Sequence, residues 1–429
     1  MLILVFIAYQ TSANKEVPVI TWANPADIVY GTPLSAIQLN ATANTTGTFA
    51  YTPDIGVILN AGTNQELSVL FTPDDLVNFE PASKIVTINV LKATPVITWS
   101  NPADIIYQTV LSAAQLNAAA STTGTFSYTP TFGTLLNAGL NQELLVLFTP
   151  SNENNYYTAE KTVQINVHKA TPVITWVNPN DINYGVLLSS TQMNATVNTT
   201  GTFTYNPIIN TLLKPALAQT LSVSFAPSDP LNWNPASKSV SINVHAVTPI
   251  YVKPQSEGTG SGVSWSNAIN SIQEAINLFD NYPIIAEIRI AAGTYNGGIT
   301  VKNGISINGG YTGTDDTRIL PFEATSNEEL TILDGQNAQR VITQGLAFAN
   351  PTVFDGLVIR NGNSTAGGGA YLYANATVSN SFIENNTSTN HAGGIYLNQG
   401  GTLENCRIYS NFADKFGGAV YCNEGGTVT

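Results

Sequence analysis

The pentapeptide PVITW stands at residues 18–22, again at 95–99 and a third time at 172–176, so Trp22, Trp99 and Trp176 are spaced by 77 and 77 residues. Outward from each copy the same register holds for Asp27, Asp104 and Asp181, for Phe49, Phe126 and Phe203, for Phe71, Phe148 and Phe225, and for Val90, Val167 and Val244. A 77-residue unit is repeated here without insertion or deletion, and a fixed internal period is the mark of a repeat architecture. Inside each unit apolar residues alternate with period two, as in Leu67, Val69, Phe71 and in Val86, Ile88, Val90. That is how strands with one buried face read. Breakers such as Asn24-Pro25, the TTG tripeptide and Thr72-Pro73 cut the unit into about seven short strands, the size and rhythm of a two-sheet sandwich.

Composition agrees with an all-β chain. At 429 residues it is too long for one hydrophobic core, and only 10 % of it is charged against 43 % hydrophobic. Abundant Thr, Asn, Gly and Pro favour strands and turns over helices. The 15 basic and 28 acidic residues give a net charge of −13 with no basic patch, which argues against a nucleic-acid partner. The apolar run Leu2 to Tyr9, followed by the small residues Thr11-Ser12-Ala13, reads as a truncated secretory signal peptide without its basic n-region. It is too short to span a bilayer, so no transmembrane segment is expected in this sequence. Two cysteines, Cys406 and Cys422, do not make a disulfide framework and leave both their pairing and the redox compartment open.

After Pro249 the 77-residue pattern stops. A helix follows, with Ser271 and Glu274 as a capping box and Ile269, Ile272, Ile276 and Phe279 on one face. A second period then begins. Tyr371, Tyr396 and Tyr421 are spaced by 25 and 25, as are Val353, Val378, Leu403 and Val428, and Val358, Ile383 and Ile408. Glycine pairs precede each tyrosine, in GGGAY, GGIY and GGAVY. Short strands and glycine turns with a period of about 25 and no helix predict the coils of a β-solenoid. Alternation then turns the tyrosines outward, while Asp355, Asn380 and Asn405, and Asn361, Asn386 and Asn411, are expected to stack in two columns that bond from coil to coil.

The first 77-residue unit's W-x-N-P-x-D-I-x-Y, TTGTF-x-Y and F-[TA]-P motifs, with their counterparts across residues 18–248, resemble bacterial immunoglobulin-like repeats of secreted and surface proteins. Residues 250–429 resemble the right-handed parallel β-helix of the pectate-lyase-like superfamily, capping helix included. GGAV at 417–420 and FIEN at 382–385 are similar to the repeats of polymorphic outer-membrane proteins, which are secreted adhesins. The expected fold is therefore all-β: three tandem Ig-like β-sandwiches followed by a right-handed parallel β-helix with an N-terminal capping helix. The expected divisions are a signal peptide and lead-in at 1–17, Ig-like repeats at 18–94, 95–171 and 172–248, and a C-terminally incomplete β-helix at 249–429. Val428 stops in mid-coil, so the sequence is read as a fragment.

Lyases and hydrolases on a β-helix need converging carboxylates, and here Glu384, Glu404 and the Asp414-Lys415 pair are scattered. No catalytic, metal or cofactor-binding residue is assigned, and no cofactor is expected. One Asp per sandwich at Asp27, Asp104 and Asp181 is too few for a calcium shell and is read as capping the Asn-Pro turn through a local bond. His168 and His245 are read as linker residues, and Cys406 and Cys422 as small core residues. The binding candidates are Tyr371, Tyr396 and Tyr421, a column able to meet a glycan or a surface protein or to stiffen the coil as a ladder. What the resemblances imply is a monomeric, secreted or cell-surface adhesin of a Gram-negative bacterium. The alternative is a polysaccharide lyase or glycoside hydrolase with accessory Ig-like modules.

Overall fold

The computed structural model describes residues 14–255, 258–282 and 284–429; the apolar run read as a signal peptide lies outside them. The chain divides into two compact units, Met1–Thr171 with Asp229–Asn234, and Pro172–Ser228 with Pro235–Thr429.

The first unit holds two sandwiches built alike. In the first, a sheet runs in the order Ile28–Val29, Ala82–Leu91, Gly62–Pro73, Gly47–Thr52, and Ile20–Thr21 pairs with Thr42–Ala43 against it. The long hairpin is antiparallel, with Leu67 opposite Val86 and Phe71 opposite Ala82, while Ile28 lies parallel beside Val90. Alternation thereby places Leu67, Val69, Phe71, Ile88 and Val90 on the inner face with Trp22 and Leu34.

Six strands form where about seven are expected, because the segment after Leu34 turns instead of pairing. That turn is fixed by a buried glutamine: Gln38 Oε1 accepts from the N–H and hydroxyl of Ser35, and its carbonyl accepts the Trp22 indole N–H at 3.0 Å. Gln115 and Gln192 repeat the arrangement with Trp99 and Trp176. A large core aromatic so buries its only polar atom with a partner. Glycine is required at Gly47, where a Cβ would stand 2.4 Å from the Thr72 carbonyl oxygen and 2.6 Å from the Phe71 ring.

The aspartates do not cap their own turns. Asp27, Asp104 and Asp181 accept from the amides of Asn89, Asn166 and Asn243 at 3.0–3.1 Å, because the parallel pairing beside the last long strand brings these distant residues together. His168 and His245 are not linker residues either: each lies at the end of a long strand and meets Asp104 or Asp181 at 2.9 Å.

The second unit contains the third sandwich, with Met193 in its core, and a stack of parallel strands. One sheet has seven, in the order Ile250–Val252, Ala286–Ala291, Ile305–Tyr311, Thr352–Asp355, Ala376–Ser379, Thr402–Glu404, Thr427–Val428. Two five-stranded sheets and a three-stranded one carry the other sides of each coil. Successive coils supply one parallel strand to each sheet, which defines a parallel β-helix. The fold is thus all-β: Ig-like sandwiches followed by a parallel β-helix. At its start the helix Ile272–Asn277 is capped by Ser271, whose hydroxyl accepts from the Glu274 N–H, and Ile269, Ile272, Ile276 and Phe279 are buried. Apolar residues of the third sandwich and of the β-helix belong to one continuous core.

The coil register differs by one residue from the uniform 25 in part of the first tyrosine-bearing coil. Phe354, not Val353, pairs with Val378 and then Leu403, and Ile359, not Val358, pairs with Ile383 and Ile408. The discrepancy is absorbed at a bulge between Ser364 and Ala366, opposite Ser388 and His391, where the next coil has one extra residue. The expected columns shift accordingly. Gly362, not Asn361, faces Asn386, donating its N–H to Asn386 Oδ1 at 2.8 Å. Asn380 still reaches Asp355 at 2.7 Å and Asn405 reaches Asn380 at 2.7 Å, although Asp355 pairs in register with Ser379.

Candidate binding surface on the β-helix

The three tyrosines lie on adjacent parallel strands, Ala370–Tyr373, Ile395–Asn398 and Val420–Asn423, and are directly in register. Ala370, Leu372, Ile395 and Leu397 are buried, so alternation sends Tyr371 and Tyr396 outward. The glycine pairs ahead of them serve the coil: a Cβ on Gly393 would stand 2.2 Å from the Phe412 carbonyl oxygen of the next coil.

The rings form a stack. Tyr371 and Tyr396 are 4.7 Å apart and 4° from parallel, and Tyr396 and Tyr421 are 5.2 Å apart at 28°. The Arg340 guanidinium covers Tyr371 at 5.0 Å. It is held there by the carbonyls of Ala366 and Gly367 and the hydroxyl of Ser364, and burial pulls its pKa below the ordinary arginine value. His391 lies 4.6 Å from Tyr421 and stacks on Phe416 at 5.4 Å. Asn423 bonds Asn398 at 2.9 Å in the neighbouring outward column, next to Tyr373.

Burial, then the neighbouring Tyr373, pushes the Tyr371 hydroxyl above its ordinary pKa, and burial, then Tyr421, does the same for Tyr396. The central ring is stacked between its two neighbours, and Tyr396 as a whole is partly exposed. The structure brings all three predicted tyrosines together and adds Arg340, Tyr373, His391 and Phe416. His391 and Phe416 are themselves spaced by 25, a signal that was open to sequence reading; nothing in the sequence marks Arg340.

Several carboxylates elsewhere on the β-helix are matched with cations: Asp355 with Arg318, Asp334 with Arg360 at 2.9 Å, Asp316 with Arg289 at 2.6 Å and Asp280 with Lys302. Among the described residues no three His, Cys, Asp or Glu side chains are grouped to hold a metal. Cys406 and Cys422 are free thiols. Cys406 is half-buried, and burial pushes its thiol pKa up; Cys422 is exposed, though it shares a register column with the buried Leu397. Among the described residues no helix is long and apolar enough to cross a membrane.

No protein-family profile matches this sequence, and no curated protein does. Among solved structures, the chain is similar to Drosophila N-cadherin EC1-4, with 11% identity over 54% of this chain and 75% of that one and a TM-score of 0.19. It is also similar to Sidekick-1 immunoglobulin domains 1-5, with 11% identity over 54% and 59% of the two chains and a TM-score of 0.20. The N-terminal eight Ig domains of Down Syndrome Cell Adhesion Molecule give 10% identity over 56% and 39% and a TM-score of 0.19. Scores this low say nothing of what this chain binds. The class rests on strand pairing: tandem Ig-like sandwiches joined to a parallel β-helix.

Proposed function

We propose that this is an adhesin-like protein of the bacterial exterior, in which the sandwiches act as a stalk and the β-helix presents the Tyr371–Tyr396–Tyr421 column to a partner. The observation that carries the reading is the outward, rigidly stacked column itself, flanked by His391 and Phe416. Tyrosine-rich, pre-ordered surfaces lose little side-chain freedom on binding, which is why such residues dominate contact sites. With the Tyr396 faces spent on stacking, the contact is edge-on and suits a protein surface better than a sugar ring laid on a face. Placement outside a Gram-negative cell follows the resemblance of the β-helix to pectate-lyase-like and polymorphic outer-membrane protein repeats, and we take the chain to act as a monomer. The test is binding of the immobilised full chain to a panel of purified surface glycoproteins, native and deglycosylated, beside a glycan array. Binding that survives deglycosylation and falls with Tyr396→Ala supports the reading. Binding unchanged in Tyr396→Ala removes the column from function.

A further inference from the structure

At the start of the β-helix a cleft of about 410 Å³ opens beside the strand Ile250–Val252, within the range of about 300–1,000 Å³ usual for small-ligand sites. Its apolar wall is Tyr251 and Trp265. The two rings meet at 4.7 Å and 62°, and Trp265 packs with Ala291 and Tyr311 into a small core of its own. That footing fixes the rings before any ligand arrives.

Two loops supply the polar wall. Asp315 and Asp316 follow the strand Ile305–Tyr311 in a loop closed at its base by the bond from the Thr312 N–H to the Thr317 carbonyl. Asp315 Oδ1 accepts the Thr317 N–H at 2.8 Å and the Thr312 hydroxyl at 3.1 Å. The loop thus occupies one carboxylate oxygen and leaves Oδ2 without a partner. Because the Thr312 hydroxyl gives its proton to Asp315, Thr314 is the donor in the 3.2 Å bond between the two threonines, and the Thr314 lone pairs stay open. Asp316 accepts the Trp265 indole N–H at 3.3 Å and an Arg289 N–H at 2.6 Å. On either side of Trp265, Ser264 and Ser266 bond each other at 3.0 Å. Arg289 also holds Glu287 at 3.0 Å, so Glu287 and Asp316 share one guanidinium, while Asp315 forms no ion pair among the described residues.

These parts narrow the ligand by chemistry. An apolar molecule would strip water from two carboxylates and pair with neither. An acidic one would meet negative charge that Arg289 does not balance. A calcium ion takes roughly six to eight oxygens, and no such grouping occurs among the described residues. We propose that this cleft binds a single pyranose sugar that carries no acid group. Sugar hydroxyls donate to Asp315 Oδ2 and meet the side chains of Ser266 and Thr314, while the C–H groups of the ring lie against Tyr251 and Trp265. The site is independent of the tyrosine column.

The test is a saturation-transfer NMR titration of the full chain with D-glucose, D-galactose, D-mannose, D-glucosamine and D-glucuronate. At least one of the first four is expected to bind with a millimolar Kd, and glucuronate at least about tenfold more weakly. Asp315→Asn keeps a carbonyl oxygen for the Thr317 and Thr312 bonds but puts a donor where Oδ2 stands, and it is expected to weaken the bound sugar at least about tenfold. Ser266→Ala, outside that loop, is expected to weaken it about threefold, and Tyr396→Ala to leave it unchanged. The proposal is overturned by absence of transfer from all four sugars, by glucuronate binding as tightly as the best of them, or by parent-like affinity in Asp315→Asn or Ser266→Ala. Displacement of the sugar by an equal concentration of methylammonium would overturn it too, since the carboxylates would then be taking a simple amine.

Discussion

Tyr396 lies 4.7 Å from Tyr371 with the ring planes 4° from parallel, and 5.2 Å from Tyr421 on its other side. It is the central ring of a stack fixed by strand register. Each aromatic pair contributes about 0.5–1.5 kcal/mol beyond area burial, so Tyr396→Ala should destabilise the β-helix by about 1–3 kcal/mol. Tyr396→Phe should cost much less. Chemical denaturation followed at the β-helix transition checks the ordering.

Gln115 is the second prediction. Its side chain holds the N–H and hydroxyl of Ser112 and its carbonyl holds the Trp99 indole. Gln115→Ala keeps the carbonyl but strips the turn of its acceptor, leaving partly buried donors unpaired at about 1–3 kcal/mol. A urea midpoint unchanged from the parent would show that the turn is held by something else.

Gly201→Ala is expected to do more damage than any surface substitution nearby, since its Cβ would sit 2.3 Å from the Ala226 carbonyl oxygen and 2.4 Å from the Phe225 ring. Strand Gly201–Asn206 would have to leave Ala216–Pro227 at that end. Hydrogen exchange along these two strands should rise sharply; protection equal to the parent would contradict the close approach.

Acid should weaken the second and third sandwiches. Bonds from His168 and then Asn166 hold the Asp104 carboxyl below the ordinary aspartate range, and bonds from Asn243 and then His245 do so for Asp181. A carboxyl depressed in the folded state adds stability above its unfolded pKa of about 3.9 and loses it as pH falls through the lower folded value. Stability should therefore decline below about pH 4, and the decline should be shallower in Asp104→Asn with Asp181→Asn. Urea midpoints from pH 6 to pH 2.5 test this, and identical pH profiles would remove these pairs from it.

Much of this is legible in the sequence alone. The 77-residue spacing of Trp22, Trp99 and Trp176, with period-two alternation around Phe71, suffices for tandem sandwiches, and the tyrosine spacing suffices for the coils. What escaped lies in contacts far apart along the chain. Asp27 meets Asn89 across 62 residues, so a local reading of its turn chemistry favoured a cap that is not made. The register slip at Phe354 was hidden because a bulge opposite His391 restores the 25-residue spacing before Tyr371. For the tyrosines, sequence showed the column but not that its ring faces are turned on one another.

The central claim is that the hydroxyl edge of this column is the recognition surface, and Tyr396→Phe tests it most directly, because the ring and its stacking remain while the edge loses its donor. Binding of the full-length variant to a partner found for the parent chain should weaken about tenfold, the equivalent of about 1.4 kcal/mol for one lost interfacial hydrogen bond, with the unfolding midpoint unchanged. Parent-like affinity in Tyr396→Phe would contradict the claim, and parent-like affinity in Tyr396→Ala as well would leave the column as a ladder that stiffens the coil.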